Sequence, residues 1–387
     1  MNWIGKLLFC FSVVGVISGS EPAVPATVKE ARHCNVRVLL QEFDTASAIS
    51  FKLQSSDGFY LIDLKEKKRT AYEAKDLAIT YEKKKFYLNS ALLDKQSFYL
   101  KPKQGHFKFD GKSYQGSFLI LADKQTVYVI NALDIEDYVC CVLRTESWPG
   151  WPLEVNKALA ISSRSYVIGV VLNNITSKFP YHIKNTNRHQ TYAGVHADPI
   201  LKQAVEETKG IFLTYEGKPI VAMFDACCGG VTPSLMEGIN FTHAPYLARP
   251  YPCKFCTGAR GYNWSVTYSL EQLEKLLQKD LKKIKNLRHI KVYKRDKAGV
   301  VQSLQIKTAQ HSFHIPAKQF YYMLPKVRSF YFDVECNNQK VTFTGNGIGH
   351  HIGLCQWGAR EMVNRKYTYK QVLDFYYPGT QFMRLAS

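Results

Sequence analysis

The sequence predicts an α+β protein of mixed sheets and helices with a β-rich N-terminal module, and three observations lead to this fold class. Short β-prone runs between residues 36 and 121 alternate with turn signals at 55–58, 83–85 and 110–112, as in a strand-rich unit. Residues 153–172 contain no proline and repeat apolar side chains on one face, which predicts a long helix. The 387 residues are 46% hydrophobic, enough for a sizeable core.

Residues 1–20 have the pattern of a secretory signal peptide. Lys6 supplies the charged start, residues 7–17 the apolar run, and residues 18–20 the small side chains that a signal peptidase prefers. We therefore expect export to the periplasm or cell envelope, with membrane association only if the signal stays uncleaved. A buried terminal helix is the alternative. No other segment approaches the roughly 18 uncharged apolar residues of a membrane span.

The elements that follow the β-rich module are predicted in chain order. A strand at 127–130 leads into a short helix over 134–139 that points toward Glu146. Pro152 is a favourable first residue for the long helix. Residues 210–224 have the pattern of a hairpin.

The C-terminal part is predicted to contain both element types. Residues 270–287 have the pattern of an amphipathic basic helix, and residues 290–316 that of further strands. No internal repeat or low-complexity tract is visible. The predicted organisation is a signal at 1–20, a β-rich module at 21–121 and a larger region at 122–387.

The charge balance predicts an acidic partner. Lys and Arg number 51 against 32 Asp and Glu, a net charge of +19, and removal of the signal takes away only Lys6. For an exported protein we expect bacterial cell-wall glycan and not nucleic acid, because glycan strands stripped of their peptides expose regularly spaced lactyl carboxylates. A solvated basic surface without a specific ligand is the alternative, and 279–285 and 291–297 have that pattern.

Glu146 is the leading candidate for a catalytic group. It stands among aromatic residues and prolines with almost no competing charge nearby. An acid in so apolar a setting tends to keep its proton near neutral pH, and cleavage of a glycosidic bond needs a proton-holding carboxylic acid. Trp148 and Trp151 are candidate stacking surfaces for sugar rings, with core packing as the equal alternative.

Further polar residues are predicted to lie around Glu146. Arg164 on the long helix brings a cation back to the Glu146 carboxyl if the intervening loop folds back. Tyr166, Gln190 and Tyr192 complete the predicted substrate-binding set of this region. Other carboxylates lie among charged or polar residues and are predicted to be solvated or capping groups. These are Asp134, Glu136, Asp137 and Glu154.

The cysteines leave several chemistries open. The chain has 10 cysteines, of which Cys10 lies in the predicted signal, so the mature protein has an odd number and at least one unpaired thiol. Cys253 and Cys256 have the spacing of half a zinc site, and Cys227 with Cys228 could supply the other half. Disulfides or free thiols are the favoured interpretation for an oxidising compartment. No cofactor is therefore expected, with zinc through Cys253 and Cys256 as the exception.

Residues 345–359 form a second dense motif. The closely spaced glycines let the backbone approach a ligand. His350, His351, Gln356 and Trp357 supply hydrogen-bonding groups and a stacking face, which suits a sugar. The lysine and Ser/Thr of a phosphate-binding P-loop are absent. A glycine-rich turn packed under the core is the alternative.

Several blocks of the sequence resemble those of the SpoIID/LytB family, the stage II sporulation protein D type. They occur in the family's order at 129–138, 146–154, 158–166, 190–194, 228–232, 345–359 and 376–380. The resemblance implies a curved, mixed α/β structure with a substrate cleft. It also implies that the family-like region spans 122–387, with a basic helical insertion around 270–297.

The resemblance implies a lytic transglycosylase, a lyase that cuts peptidoglycan glycan strands lacking stem peptides. Glu146 then matches the family's catalytic glutamate, and Arg164 the arginine of its Ala-Arg-Thr-Tyr motif. A single acid suits this reaction, since it first protonates the leaving oxygen and then accepts a proton from the muramyl C6 hydroxyl. Hydrolysing glycosidases need two carboxylates, whereas formation of a 1,6-anhydromuramyl end needs no water.

The sequence departs from the family pattern in two respects. Some members hold zinc through cysteines and a histidine before the Gln-x-Tyr block, where this chain offers only His182 and His189. Asp225 stands where the family commonly has a histidine, and Cys355 where it frequently has a serine. A serine at that position elsewhere argues against Cys355 as a nucleophile.

Two other functions remain as alternatives. One is a non-catalytic, LytB-like glycan-binding protein that activates a wall amidase, with division proteins as further partners. The same basic and aromatic surface and the β-rich module would serve it. The other is a cysteine peptidase that uses Cys355 with His350 or His351.

Overall fold

The structure is a computed structural model that describes residues 35–63, 68–173, 179–186, 189–282 and 284–385. The signal predicted at 1–20 lies outside the described residues. The chain divides into two compact units. The first unit contains the described residues up to Val221 and those from Phe382 onward, and the second unit is Ala222–Gln381.

Two β-sheets form the N-terminal part of the first unit. Their strands are β1 (Asn35–Asp44), β2 (Ile49–Gln54), β3 (Phe59–Asp63), β4 (Lys68–Tyr72), β5 (Asp76–Glu82), β6 (Lys85–Leu88), β7 (Ala91–Leu93), β8 (Ser97–Pro102), β9 (Phe107–Phe109), β10 (Lys112–Tyr114), β11 (Ser117–Asp123), β12 (Thr126–Asp134) and β13 (Ile183–Lys184). One sheet has the order β13-β1-β12-β11-β8-β3-β4, and the other β10-β9-β2-β5-β6-β7. β1 and β13 pair in parallel, and the other neighbouring strands of these two sheets pair antiparallel.

The strands bury alternate side chains, as sheets with one packed face do. In β5, Leu77, Ile79 and Tyr81 are buried while their neighbours are more exposed. The β-rich N-terminal region and the α+β class are therefore confirmed. β11 continues to Asp123 and pairs with β12, which pairs in turn with β1.

Three helices complete most of the first unit: α1 (Ile135–Glu146), α2 (Leu153–Asn173) and α3 (Pro199–Glu207). Asp134 caps α1, since its Oδ1 accepts a hydrogen bond of 2.8 Å from the Glu136 amide. α2 contacts both α1 and α3 and is largely buried. Both predicted helices are confirmed, and α1 extends far enough to make Glu146 its last residue.

The first unit also contains the predicted hairpin. It consists of β14 (Ile211–Tyr215) and β15 (Lys218–Pro219), which pair antiparallel. The hairpin is shorter than the predicted span, because residues 220–223 follow in an irregular conformation.

The second unit contains small sheets and four helices among its described residues. The elements are β16 (Phe224–Asp225), a 3₁₀ turn (Pro245–Leu247), β17 (Asn263–Ser269), α4 (Leu270–Gln278), β18 (Leu287–Arg295), β19 (Val301–Thr308), β20 (Ser312–Pro316), α5 (Ala317–Met323), β21 (Phe332–Cys336), β22 (Lys340–Asn346), β23 (Leu354–Cys355), α6 (Gln356–Asn364) and α7 (Tyr369–Tyr376). The sheet orders are β17-β22-β21, β18-β19-β20 and a parallel β16-β23 pair. A last strand, β24 (Gln381–Arg384), adjoins β14 in a three-stranded sheet.

The basic segment predicted as one helix is a helix followed by a strand. α4 ends at Gln278, and β18 begins at Leu287. Ser269 and Gln272 form a capping box that sets the start of α4. The predicted strands after residue 290 are confirmed. Within the described ranges, no helix combines the length and apolar character needed to cross a membrane.

Candidate functional site

Glu146, the last residue of α1, lies in an environment that favours its protonated form. The residue is partly exposed, but its carboxyl group is surrounded by protein atoms. This burial raises the pKa of Glu146 from 4.5 to about 7, against the opposing effect of hydrogen bonds from the Thr191 backbone and side chain. The Thr191 amide donates to Oε1 at 2.9 Å.

The segment that presents Thr191 is held by buried polar residues. Gln190 is fully buried, and its Oε1 accepts a hydrogen bond of 2.9 Å from the Tyr138 hydroxyl. Tyr192 is also buried, donates to Asn131 Oδ1 at 2.6 Å and stacks on Tyr138 with ring centroids 5.8 Å apart. The structure therefore places Gln190 and Tyr192 as supports of the segment that bonds to Glu146, and not on a surface that a ligand contacts.

Arg164 does not lie beside the Glu146 carboxyl, so this expectation is wrong. Its fully buried guanidinium bonds to Glu136 through Nε–Oε1 at 2.9 Å and Nη2–Oε2 at 2.5 Å. Nη1 donates to the Ile211 carbonyl at 2.9 Å, and the Gly210 amide donates to Glu136 Oε1 at 3.0 Å. The reason is geometric: Arg164 on α2 meets the first turn of α1, whereas Glu146 ends that helix.

The other carboxylates near Glu146 in sequence have structural partners or are exposed. Glu136, predicted to be solvated or capping, is instead the partner of Arg164 in this partly buried ion pair. Asp134 is a helix cap as predicted, and Asp137 is exposed. Glu154 pairs with Lys157 at 2.8 Å.

A shallow surface depression follows Glu146 in the chain. Its lining residues are Arg144, Ser147, Trp148, Pro149, Gly150, Trp151, Asn156, Asp198, Ile200 and Leu201. Trp148 is half-buried and stacks on the buried Trp151, with ring centroids 6.2 Å apart. Trp148 is thus placed where a ligand can reach it. Tyr166 is not, because it is buried and its hydroxyl lies 3.3 Å from His189 Nδ1.

In the second unit, His351 is fully buried and both of its ring nitrogens have partners. Nδ1 lies 2.8 Å from the Cys228 carbonyl, which only accepts, so Nδ1 carries the proton. Nε2 accepts from the Phe330 amide at 3.1 Å. The His351 amide donates to Asp225 Oδ2 at 2.7 Å. Burial lowers the pKa of His351 to about 4, and the neutral ring joins segments of the fold.

The remaining predicted residues of the 345–359 motif are also mostly enclosed. His350 is fully buried, its Nδ1 accepts from the Ile352 amide at 3.1 Å, and burial lowers its pKa to about 3. Gln356 is buried at the start of α6. Trp357 is half-buried, and the Arg360 guanidinium lies 5.2 Å from its ring centroid. Of the predicted residues of this motif, His350, His351 and Gln356 are therefore buried within the fold. Trp357 is partly exposed and accessible to a ligand.

The structure brings Cys253 and Cys256 together with Cys228 and Cys355. All four side chains are buried, and their Sγ atoms lie within 4.8 Å of one another. Cys355 is fully buried, which argues against its use as a nucleophile. In the described part of the chain, His182 and His189 are not members of a metal-ligand cluster, and Cys227 is not a member of this one.

Comparisons with known proteins agree with the family resemblance seen in the sequence. The family described as Stage II sporulation protein (SpoIID) matches residues 123–215, which include Glu146 and Thr191. An uncharacterised protein of Brachyspira hyodysenteriae is 32% identical over 72% of this chain and 75% of its own length. The chain belongs to the SpoIID/LytB family. A domain of unknown function (DUF8618) matches residues 256–353.

Two further family members have descriptive names. The amidase enhancer of Bacillus subtilis is 25% identical over 93% of this chain, which spans only 56% of that protein's length. The stage II sporulation protein D of Bacillus subtilis is 24% identical over 65% of this chain and 75% of its own length.

Several important residues were not identified from the sequence. Gln190 and Tyr192 stand out in the sequence, but it is Thr191 between them that bonds to Glu146. Alternation in an extended segment places residue 191 opposite its two neighbours. Tyr138 and Asn131, which hold Gln190 and Tyr192, carry no local signal of that role. Their function depends on contacts between residues far apart in the chain.

Proposed function

We propose that this protein is an exported cell-wall enzyme that cleaves peptidoglycan glycan strands, those lacking stem peptides in particular, by lytic transglycosylation. Family membership supports a wall-related role. The observation that carries the reaction type is the Glu146 carboxyl, whose pKa is raised to about 7 by burial.

A carboxyl with this pKa is suited to both halves of the proposed cycle. The protonated form donates its proton to the glycosidic oxygen as the bond from C1 to that oxygen breaks. The resulting carboxylate then accepts the proton of the muramyl C6 hydroxyl as that oxygen bonds to C1. The product is a 1,6-anhydromuramyl end, Glu146 regains its proton, and no water is consumed.

The surroundings of Glu146 favour a mechanism with one catalytic acid over a mechanism with two catalytic carboxylates. Hydrolysing glycosidases keep two carboxylates about 5–9.5 Å apart on opposite sides of the bond. Of the acids near Glu146 in sequence, Glu136 and Glu154 are engaged with Arg164 and Lys157. The Thr191 amide supports the carboxylate that forms after proton donation, because it already donates to Oε1.

The deciding experiment is mass analysis of products that the purified protein releases from glycan strands with and without stem peptides. We expect anhydro ends, faster release from the strands without stems, and activity that declines above about pH 7 as Glu146 loses its proton. Products with reducing ends would show hydrolysis and contradict the proposal. Equal release from both substrates would contradict its stem dependence.

A second candidate function is activation of a wall amidase by glycan binding without catalysis. It is favoured by similarity to the amidase enhancer, which extends over 93% of this chain. The test is to mix the protein with a wall amidase and measure peptide release, and in parallel to incubate the protein alone with glycan. Stimulation of the amidase without any anhydro product would support activation as the role. Division proteins would then be further candidate partners.

A further inference from the structure

The four-cysteine cluster of the second unit is assembled from three separate segments. Cys228 follows β16, Cys253 and Cys256 lie in one irregular segment, and Cys355 ends β23. The parallel pairing of β16 with β23 brings the first and last segments together. The Cys253 amide adds the middle segment by donating to the Gly230 carbonyl at 3.0 Å. The cluster is therefore placed by the backbone of the fold.

The spacing of the sulfur atoms matches coordination of one ion. The Sγ atoms of Cys228 and Cys256 are 3.8 Å apart, and all four Sγ atoms lie within 4.8 Å of one another. Four thiolates at about 2.3 Å from a tetrahedral zinc ion have edges of about 3.8 Å. A disulfide would require a sulfur–sulfur distance of about 2.0 Å. The four cysteines are unbridged in this structure.

Hydrogen-bond donors surround the sulfur atoms. The amides of Cys228 and Gly358 donate to Cys355 Sγ at 3.3 and 3.4 Å. The Tyr376 hydroxyl lies 3.2 Å from Cys253 Sγ. Groups of this kind orient metal-bound thiolates and stabilise their charge. A side chain at Gly358 would clash, because its Cβ would lie 2.0 Å from the Tyr376 hydroxyl oxygen.

A buried arginine is an independent sign of negative charge at the cluster. Arg249 is only 4% exposed, and its Nη2 donates to Cys228 Sγ at 3.1 Å. Its other acceptors are the carbonyl oxygens of Tyr251 and Val231. Burying a cation against neutral thiols and carbonyls is unfavourable, whereas four thiolates around a divalent ion carry a net charge of −2 that attracts it.

We propose that Cys228, Cys253, Cys256 and Cys355 bind one Zn²⁺ ion in a closed structural site. Four thiolate ligands fill the tetrahedral coordination of zinc, and their complete burial leaves no position for substrate or water. An iron–sulfur cluster is disfavoured, because its several irons and sulfides need more widely spaced thiolates. The site lies apart in sequence from the segment around His182 and His189, where some relatives are expected to hold zinc.

The ion would connect the segments that support the 345–359 motif. Cys228 supplies the carbonyl that accepts from His351 Nδ1, and Cys355 caps the helix that carries Gln356 and Trp357. Loss of the ion would free both segments and leave Arg249 beside uncharged sulfur. The second unit is therefore expected to lose stability without zinc, since a site assembled by folding contributes its binding energy to the folded state.

The proposal is tested first on the unaltered full-length protein, purified under reducing conditions with no metal added. Elemental analysis is expected to find one zinc per chain. X-ray absorption at the zinc edge is expected to show four sulfur neighbours at about 2.3 Å. These two measurements do not depend on any variant folding correctly. Iron in place of zinc, coordination by nitrogen or oxygen, or a metal-free protein with these cysteines in disulfides would each overturn the proposal.

Variants then locate the site. Cys253→Ser and Cys256→Ser are expected to lower the zinc content to well below one per chain and to lower Tm by about 10 °C or more. The matched controls are Cys141→Ser, a buried cysteine of the first unit, and Cys336→Ser, a half-buried cysteine of the second unit. Both controls are expected to retain one zinc. Full zinc content in Cys253→Ser and Cys256→Ser, or its loss in the controls, would place the ion elsewhere.

Discussion

The end of α1 and the 345–359 motif are the two regions in which the sequence predicts catalytic or ligand-binding residues. The structure gives the titratable groups of these two regions different surroundings. Glu146 has a buried carboxyl that accepts hydrogen bonds from Thr191, and burial raises its pKa to about 7. His351 has partners at both ring nitrogens and is completely enclosed. Burial thus raises the pKa of Glu146 to about 7, and it lowers the pKa of His351 so that the ring stays uncharged.

The difference shows how to separate chemistry from architecture among buried polar groups. A group whose hydrogen bonds all join distant parts of the chain contributes to the fold, as His351 does between Cys228 and Phe330. A partly exposed acid whose proton affinity is raised near a solvent-facing depression is a candidate for proton transfer. Arg164, paired with Glu136, belongs to the first class.

The strongest test of this comparison is Glu146→Gln. We expect glycan cleavage to fall about 10²- to 10⁴-fold, because the amide cannot exchange the proton that the reaction needs. The amount of anhydro product released per unit time from denuded glycan is the measurement. Glu206→Gln, an exposed glutamate in the same unit, is the control and should cleave normally. Normal cleavage by Glu146→Gln would remove the basis for assigning catalysis to this region.

Arg164→Met tests whether this arginine serves the fold. It leaves the partly buried Glu136 without its cation and is expected to lower the free energy of unfolding by about 3 kcal/mol. Lys184→Met, which breaks a more exposed ion pair with Glu42, should cost about 1 kcal/mol or less. Denaturant unfolding of both variants gives these values. A stable Arg164→Met protein with a shifted pH profile of cleavage would instead show that Arg164 acts on Glu146.

The pH dependence of stability examines the Glu146 carboxyl directly. Because its folded pKa is raised from 4.5 to about 7, its contribution to stability is full below the lower value and lost as pH rises through the higher one. The loss is about 1–3 kcal/mol, less than the whole shift because the residue is partly exposed. Glu146→Gln should therefore become more stable relative to the unaltered protein across this window, as measured by denaturant unfolding. A constant difference would show that the carboxyl is not buried in this way.

His351→Gln tests whether His351 contributes to the fold, and its expected effect is smaller. One amide group cannot serve both the Cys228 carbonyl and the Phe330 amide in the same geometry, so we expect a loss of about 1–3 kcal/mol in the free energy of unfolding. His311→Gln, an exposed histidine of the same unit, should change stability little. Affinity for glycan is measured in parallel. A normally stable His351→Gln protein with weakened glycan binding would show that His351 binds the substrate.

Much of the fold was predictable because it rests on local patterns. Three of its features depend only on residues close together in the sequence. These are the alternating burial along strands such as β5, the Asp134 cap and the proline-free run of α2. The predicted helix over 270–287 was wrong in length, because its basic periodicity continued past the point where the chain turns into β18. The pairing of β1 with β12 has no such local signal, because these strands are far apart in the chain.

By itself the sequence determined the α+β class, the chain's relationship to the SpoIID/LytB family, and Glu146 as the acid to examine. The partners of the polar residues depend on the packing of elements that are distant in the chain. Arg164 bonds to Glu136, the amide of Thr191 reaches Glu146, and the four cysteines converge from three segments. The physical reason is that local spacing sets which face of an element a side chain occupies, whereas packing between distant elements sets what that face meets.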